Sequence, residues 1–330
     1  MPALLVFLIS ASFVALAGWR LARDGDTIAE VTGLGGAWVG AILVAAATSL
    51  PELATDGHAV LQGSPGLAVG DLFGSSMANM AILAIADLLH RGGHLLTRVA
   101  VNQALVGTLA ICLTVIAAMG IATGSTPTIA GAGWAPLVIG LTYVAGMRLL
   151  HRNREEPPFR TVTEVAAGKP PRSALRPAAI GFGVATLVIL LAAGYVASSA
   201  ADLADQWHLT QGFVGMILLA FTTSLPEAVV TLACVRNGAY NLAVGTLLGS
   251  NCFNIAALLP LDILDGSGAL LAQVDPSLIV AALVGVLMMG LAMLDILNKS
   301  ERRWWIIEPG PAFILIAYAA GLYLAYHLSR

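Results

Sequence analysis

Long apolar runs alternate with short polar interludes along this chain, and the apolar runs dominate. They fall at 3–22, 35–62, 66–90, 101–122, 133–150, 177–197, 210–235, 241–264, 277–297 and 309–328. The hydrocarbon core of a bilayer takes about 20 apolar residues as an α-helix. Only helices and closed barrels satisfy every backbone group there. The pattern predicts an all-α integral membrane protein of ten transmembrane helices. Two runs are long and carry a proline and a glutamate in their midst, "ATSLPELATDGH" from Ala47 and "TTSLPEAVV" from Thr222. Both are expected to be interrupted helices.

Composition sharpens the class. Hydrophobic residues make up 58% of the 330 positions and charged residues only 11%, against about 25% charged in a soluble domain. The expected partners are the lipid bilayer and inorganic cations, with no nucleic acid and no cofactor. The first run lacks a basic start and is long enough to span, so it reads as a helix rather than a cleavable signal. Cys112, Cys234 and Cys252 fall inside apolar runs, where they read as small fillers rather than a disulfide or zinc framework.

Charge placement sets the orientation. With the N-terminus outside, the inner loops hold fifteen Lys and Arg, among them Arg20, Arg23, Arg91, Arg98, Arg148, Arg152, Arg154, Arg160, Lys169, Arg236, Lys299, Arg302 and Arg303. The outside holds only Arg330. That bias follows the positive-inside rule, and it predicts a multi-pass protein of the cytoplasmic membrane with both termini outside. Trp304 and Trp305 beside Arg302 read as an interfacial anchor.

The proline-glutamate motif recurs at a constant offset of 175, which carries Glu52 to Glu227 and Asn79 to Asn254. Residues 48–87 and 223–262 share 18 identities in 40 positions without a gap, which reads as a duplication. Each copy occupies the second and third helix of a five-helix half. Five is odd, so the second half enters the membrane the other way up. The expected organisation is a first inverted repeat at 1–150 with motif helices 35–62 and 66–90, a cytoplasmic linker at 151–176, and a second inverted repeat at 177–330 with motif helices 210–235 and 241–264. The linker is polar and proline-rich, and too short for a folded domain. The inverted-repeat plan places a site at the midplane between the halves.

The motif residues suggest what that site holds. Pro51 cannot donate to the carbonyl of Ala47, nor Pro226 to that of Thr222. A carbonyl freed in hydrocarbon is costly unless something satisfies it, and a cation can. Thr48, Ser49, Thr223 and Ser224 add hydroxyls, and Glu52 and Glu227 add carboxylates. The partner helices carry "GSSMAN" and "GSNCFN", in which Ser75 and Asn79, and likewise Ser250 and Asn254, share a helix face at i, i+4. Gly70, Gly74, Gly245 and Gly249 recur at four-residue spacing and allow close helix approach. The pooled donors are all oxygens, a hard-cation set suited to Ca²⁺ or Na⁺. When empty the two carboxylates repel, so protons are expected to compete with the metal ion. One glutamate beside a proline also fits a simple helix kink with a protonated acid; two in mirrored positions weigh against that.

"TSLPE" followed by "GSxxxN", twice and inverted, resembles the Ca²⁺:cation antiporter superfamily, in particular prokaryotic Na⁺/Ca²⁺ exchangers. The likeness covers the ten-helix plan and is strongest in the two motif regions. It implies a monomeric antiporter working by alternating access, with Ca²⁺ and Na⁺ as transported ions. Carried over by position, Thr48, Glu52, Thr223 and Glu227 would form the Ca²⁺ site. Ser49, Ser75, Ser224 and Ser250 would complete Na⁺ sites with the main-chain carbonyls of Ala45 and Ala220, and Asn79 and Asn254 would face the middle. The helices opening each half, 3–22 and 177–197, would slide across the rest to switch access.

Several residues depart from the family pattern. Ala47 and Thr222 stand where the motif usually opens with Gly, Ser76 replaces the usual Asn, and Asn254 stands where some relatives carry Asp. Asp56 and Asp71 have only Thr231 and Thr246 at the matching positions of the second copy. By the topology above, Asp56, His58 and Asp71 lie outside the midplane. They read as an acidic outer vestibule that concentrates cations, with His58 tuning it near neutral pH, or equally as polar groups facing water near a helix end. H⁺/Ca²⁺ exchange by the same carboxylates is the nearest alternative to Na⁺/Ca²⁺ exchange, and a cation channel is a remoter one. No Ser–His spacing supports an intramembrane hydrolase, and no enzymatic activity is expected.

Overall fold

The computed structural model describes residues 2–90, 95–124, 128–129, 131–152, 170–206, 222–267, 269–298 and 309–328. In chain order these form α1 (Pro2–Thr32), α2 (Gly36–Val39), a π-helical turn (Gly40–Val44), α3 (Ala45–Leu61), α4 (Pro65–Leu89), α5 (Asn102–Ala122) and α6 (Trp134–Arg152). Then follow α7 (Leu175–Gln206), α8 (Leu225–Arg236), α9 (Tyr240–Ala256), α10 (Leu258–Asp265), α11 (Leu278–Asn298) and α12 (Pro309–Leu328). A two-stranded antiparallel ribbon, Thr128–Ile129 with Ala132–Gly133, precedes α6. Seven helical stretches among the described residues are long and apolar enough to cross a membrane. The chain is an all-α membrane protein.

Several features lie outside the described residues: Ala220 with the first part of the 210–235 run, most of the 151–176 linker, Arg91, Arg154, Arg160, Lys169, Lys299, Arg302, Arg303 and Arg330, and the Trp304–Trp305 pair.

Helix boundaries differ from the apolar runs for local reasons. The apolar run of α1 ends near residue 22, yet the helix continues to Thr32. Arg20 Nε donates to Asp24 Oδ2 at 2.7 Å one turn on, and the hydroxyls of Thr27 and Thr32 bond back to the carbonyls of Arg23 and Ile28. The Arg20–Asp24 pair adds a few tenths of a kcal/mol to the helix, and the back-bonds satisfy the threonine hydroxyls within it. The expected single helix 241–264 is two, because Pro260 cannot donate to the carbonyl of Ala256.

The interruption in the first motif also moves. α3 runs through Pro51 unbroken, and the irregular turn lies upstream at Gly40–Val44. The second motif breaks at Ser224, and α8 restarts at Leu225 with Pro226 in its first turn, where a missing N–H costs nothing.

The duplicated segments repeat their hydrogen bonds as well as their letters. α3 ends with Gly63 at φ 73°, its N–H on Val60 O and that of Ser64 on Ala59 O. α8 ends with Gly238 at φ 80°, its N–H on Val235 O and that of Ala239 on Cys234 O. Both are left-handed glycine caps with the same pair of reversed bonds. Further on, Asp87 Oδ1 accepts from Leu95 N and Asp262 Oδ1 from Leu270 N.

α9 is the hub. It touches α2, the π-helical turn, α3, α4, α5 and α8, and it is the most enclosed of the seven stretches, 83% buried against 28% for α1. α1 and α7 pack along one another at the periphery, with Leu16 72% and Leu191 61% exposed on faces suited to lipid. α9 meets α2 and the π-helical turn backbone to backbone: a Cβ on Gly249 would lie 2.5 Å from Ala41 O, one on Gly40 2.6 Å from Leu242 O, and one on Gly245 2.8 Å from Ala37 O. Gly70 in the first copy is looser, with only Leu278 at 3.7 Å. Gly249→Ala is therefore expected to lower stability by about 1–3 kcal/mol, the usual cost of overpacking. Gly290→Ala in α11, with nothing within 4 Å, should be neutral or gain up to about 1 kcal/mol; thermal unfolding of the detergent-solubilised variants measures both.

Candidate functional site

α3 and α8 carry the two glutamates, and α4 and α9 pack beside them with the "GSS" and "GSN" segments. Glu52 sits mid-helix in α3, whereas Glu227 lies in the first turn of α8, where free N–H groups favour a negative charge. Both are fully buried. The carboxylates meet at a crossing of the two copies. Ser49 Oγ donates to Glu227 Oε1 at 3.2 Å, and Ser224 Oγ donates to Glu52 Oε1 at 3.3 Å. Under the 175-residue offset these two bonds are the same bond, exchanged between copies.

The remaining oxygens gather round this crossing. Ser250 Oγ donates to Glu227 Oε1 at 3.4 Å and lies 3.5 Å from Thr48 Oγ1. Thr48 also bonds to the carbonyls of Val44 and Ala45, at 3.1 and 3.2 Å, where the π-helical turn passes into α3. Ser75 and Asn254 lie beside Glu52. Thr223, buried, neighbours Asp71. Of the twelve residues that sequence reasoning placed at the centre, eleven are described and buried; Ala220 is not described.

The site leaves oxygens unused. Among the described residues, Glu52 Oε2, Glu227 Oε2, Ser75 Oγ and Asn79 Oδ1 are buried and take part in no hydrogen bond. No Lys, Arg or His pairs with either glutamate there. Two carboxylates without a counter-charge in a dry interior are strongly unfavourable. A bare hard cation satisfies both the charge and the open lone pairs, so the donor chemistry fits Ca²⁺ or Na⁺.

Sequence reasoning missed Asn251. It is buried between α4 and α9, accepts from Asn79 Nδ2 at 3.0 Å and donates from its own Nδ2 to Ser76 O at 3.3 Å. Its signal was available, because Asn251 matches Ser76 under the offset and is where "GSS" and "GSN" part.

The outer residues separate. His58 is exposed and bonds Gln62 at 2.9 Å. Asp56 and Asp71 do not face water: they are 1% and 5% exposed and face one another. Asp56 Oδ2 and both oxygens of Asp71 accept nothing among the described residues. The acids lie one turn from Glu52 and from Ser75, on the faces that α3 and α4 turn toward each other, so packing encloses them.

With this geometry in place, comparison with known proteins is informative. The family model described as sodium/calcium exchanger protein matches residues 2–126 and 177–328. The sodium/calcium exchanger MaX1 of Methanosarcina acetivorans is 25% identical over 287 residues, covering 78% of this chain and 81% of that one. The inner membrane protein YrbG of Escherichia coli K12 is 26% identical over 272 residues, covering 82% and 81%. Among solved structures, a Sr²⁺-soaked form of the sodium-calcium exchanger NCX_Mj superposes with a TM-score of 0.75 at 20% identity, over 97% of this chain and 98% of that one.

The Asp56–Asp71 pair has a direct stability consequence. Asp71→Asn removes one of two acids that repel when both are ionised and leaves an amide that can donate to Asp56. Between about pH 7 and pH 9 the cation-free melting temperature is therefore expected to fall less in Asp71→Asn than in the wild type. An equal fall in both proteins would mean that the two carboxyl groups are not in conflict.

Proposed function

From the premise that this chain belongs to the sodium/calcium exchanger protein family, we propose that it is a secondary antiporter that exchanges Na⁺ for Ca²⁺ across the cytoplasmic membrane. One observation carries the reading: the reciprocal Ser49–Glu227 and Ser224–Glu52 bonds bring a carboxylate from each copy into one buried, oxygen-only cluster. Such a cluster selects hard cations. It is also assembled from both copies of the repeat, where the inverted-repeat plan places a transport site. The names of MaX1 and NCX_Mj point the same way.

In this reading Thr48, Glu52, Thr223 and Glu227 hold Ca²⁺. Ser49, Ser75, Ser224 and Ser250, with the carbonyls of Ala45 and Ala220, complete Na⁺ sites around the same two carboxylates, and Asn79 and Asn254 face the centre. Because the same carboxylates serve both ions, occupancy by one weakens the other, which is the coupling that exchange needs. Ten spanning helices are organised as inverted repeats at 1–150 and 177–330, joined by a cytoplasmic linker, with both termini outside. Repetition of the glycine caps and of the Asp87 and Asp262 bonds supports the duplication, and the Lys and Arg bias supports the orientation. α1 and α7, paired at the periphery and touching α3, α8 and α2 at one face, slide as a unit to open the site alternately to each side. The protein acts as a monomer.

Purified protein in liposomes tests the reading. A Na⁺ gradient at clamped pH is expected to drive ⁴⁵Ca²⁺ uptake. Glu52→Gln and Glu227→Gln should each reduce it by about 100-fold or more, corresponding to roughly 2.7 kcal/mol of lost binding. Uptake driven by a pH gradient without Na⁺ would replace the Na⁺ reading by H⁺/Ca²⁺ exchange. Flux that does not saturate with Ca²⁺ would indicate a channel.

A further inference from the structure

We propose that Asn251, outside the ion-binding set, is a positioning residue that fixes the side chain of Asn79 so that its oxygen faces the ions. The inference rests on the exchange site proposed above and extends it. Its logic starts from a backbone carbonyl, which only accepts. Asn251 Nδ2 donates to Ser76 O at 3.3 Å, so the Asn251 amide has one orientation and its Oδ1 points away from that carbonyl. Asn79 meets this oxygen at 3.0 Å. Only the nitrogen of Asn79 can donate there, so Asn79 must turn its own Oδ1 the other way. That Oδ1 is buried and accepts no hydrogen bond among the described residues. The chain of two amides thus converts a flippable side chain into a fixed oxygen donor, one turn along α4 from Ser75.

The second copy lacks this device. At the position matching Asn251 stands Ser76, and its hydroxyl bonds back to Leu72 O at 2.9 Å within its own helix. The Ser76 hydroxyl therefore orients no side chain across the interface, and no amide in the place of Asn251 stands beside Asn254. The two central asparagines, equivalent by sequence, are inequivalent in orientation. Asn79 is oriented by a neutral amide that leaves its oxygen open, whereas Asn254 lies beside the Glu52 carboxylate, toward which only its Nδ2 can donate. A substitution at Asn251 should therefore disturb the ion served by Asn79 without breaking either carboxylate or any hydroxyl of the cluster.

The test is a double-mutant cycle on purified full-length protein, read as the Ca²⁺ and Na⁺ concentrations that give half-maximal thermal stabilisation. Asn79→Ala and Asn251→Ala are each expected to raise the same ion's half-maximal concentration by roughly five- to tenfold, and the double variant should be no worse than Asn79→Ala alone, the signature of one shared interaction. Maximal Ca²⁺ flux in proteoliposomes should stay within about twofold for Asn251→Ala, giving an affinity effect without a turnover effect. Additive losses in the double variant overturn the proposal. So does a lack of effect of Asn79→Ala, or an Asn251→Ala variant with lower cation-free stability and unchanged ion concentrations. Asn251→Ser, which installs the first copy's own residue, gives the same reading if the alanine variant does not fold. Wild-type flux judges the exchange reading separately: a non-additive binding cycle in a protein that exchanges nothing would sustain the role of Asn251 and reject the antiporter.

Discussion

Two carboxyl groups buried side by side, with no Lys, Arg or His paired to either among the described residues, form the constraint around which this molecule is organised. Glu52 and Glu227 are buried, each takes a hydroxyl from the opposite copy, and each keeps one oxygen open. Among the described residues only serine and threonine dipoles and the first turn of α8 offset these charges. A cation that supplies the remaining counter-charge is the physical basis for binding in the proposed mechanism. A site that completed its own neutralisation would bind nothing.

Close backbone approach makes the crossing possible. Gly245 and Gly249 let α9 lie directly on the π-helical turn of Gly40–Val44, and that turn feeds α3 with Thr48 bonded to the Val44 and Ala45 carbonyls. The widened turn shifts the register of everything after it, which aims Ser49 and Glu52 across the interface. In the second copy the chain breaks at Ser224 and a new helix starts at Leu225, with Glu227 in its first turn.

Much of this was legible in the letters, and the reasons for the rest are specific. Apolar runs locate helices because lipid exposure demands them, and the constant offset located Glu52, Glu227 and their hydroxyl neighbours because duplication preserves spacing. The break in the first motif was misplaced at Pro51, since a proline signals a lost hydrogen bond but not where a neighbouring turn absorbs the strain. α1 outran its apolar stretch because an i,i+4 pair such as Arg20–Asp24 supports a helix without hydrophobicity. The enclosure of Asp56 and Asp71 was hidden for a related reason: aspartates near a helix end usually meet water, and only the pairing of α3 with α4 turns them inward. Asn251 escaped because its importance lies in a difference between copies, whereas the motif was found through their likeness.

The most direct measurement of the central claim is a structure of the protein with Sr²⁺, a Ca²⁺ surrogate with a strong anomalous signal. The account predicts a single dominant peak bridging the Glu52 and Glu227 carboxylates, with Thr48 and Thr223 completing its shell, that disappears as Na⁺ is raised. Saturating Sr²⁺ with no density between the two glutamates, or density there that Na⁺ leaves unchanged, would contradict it.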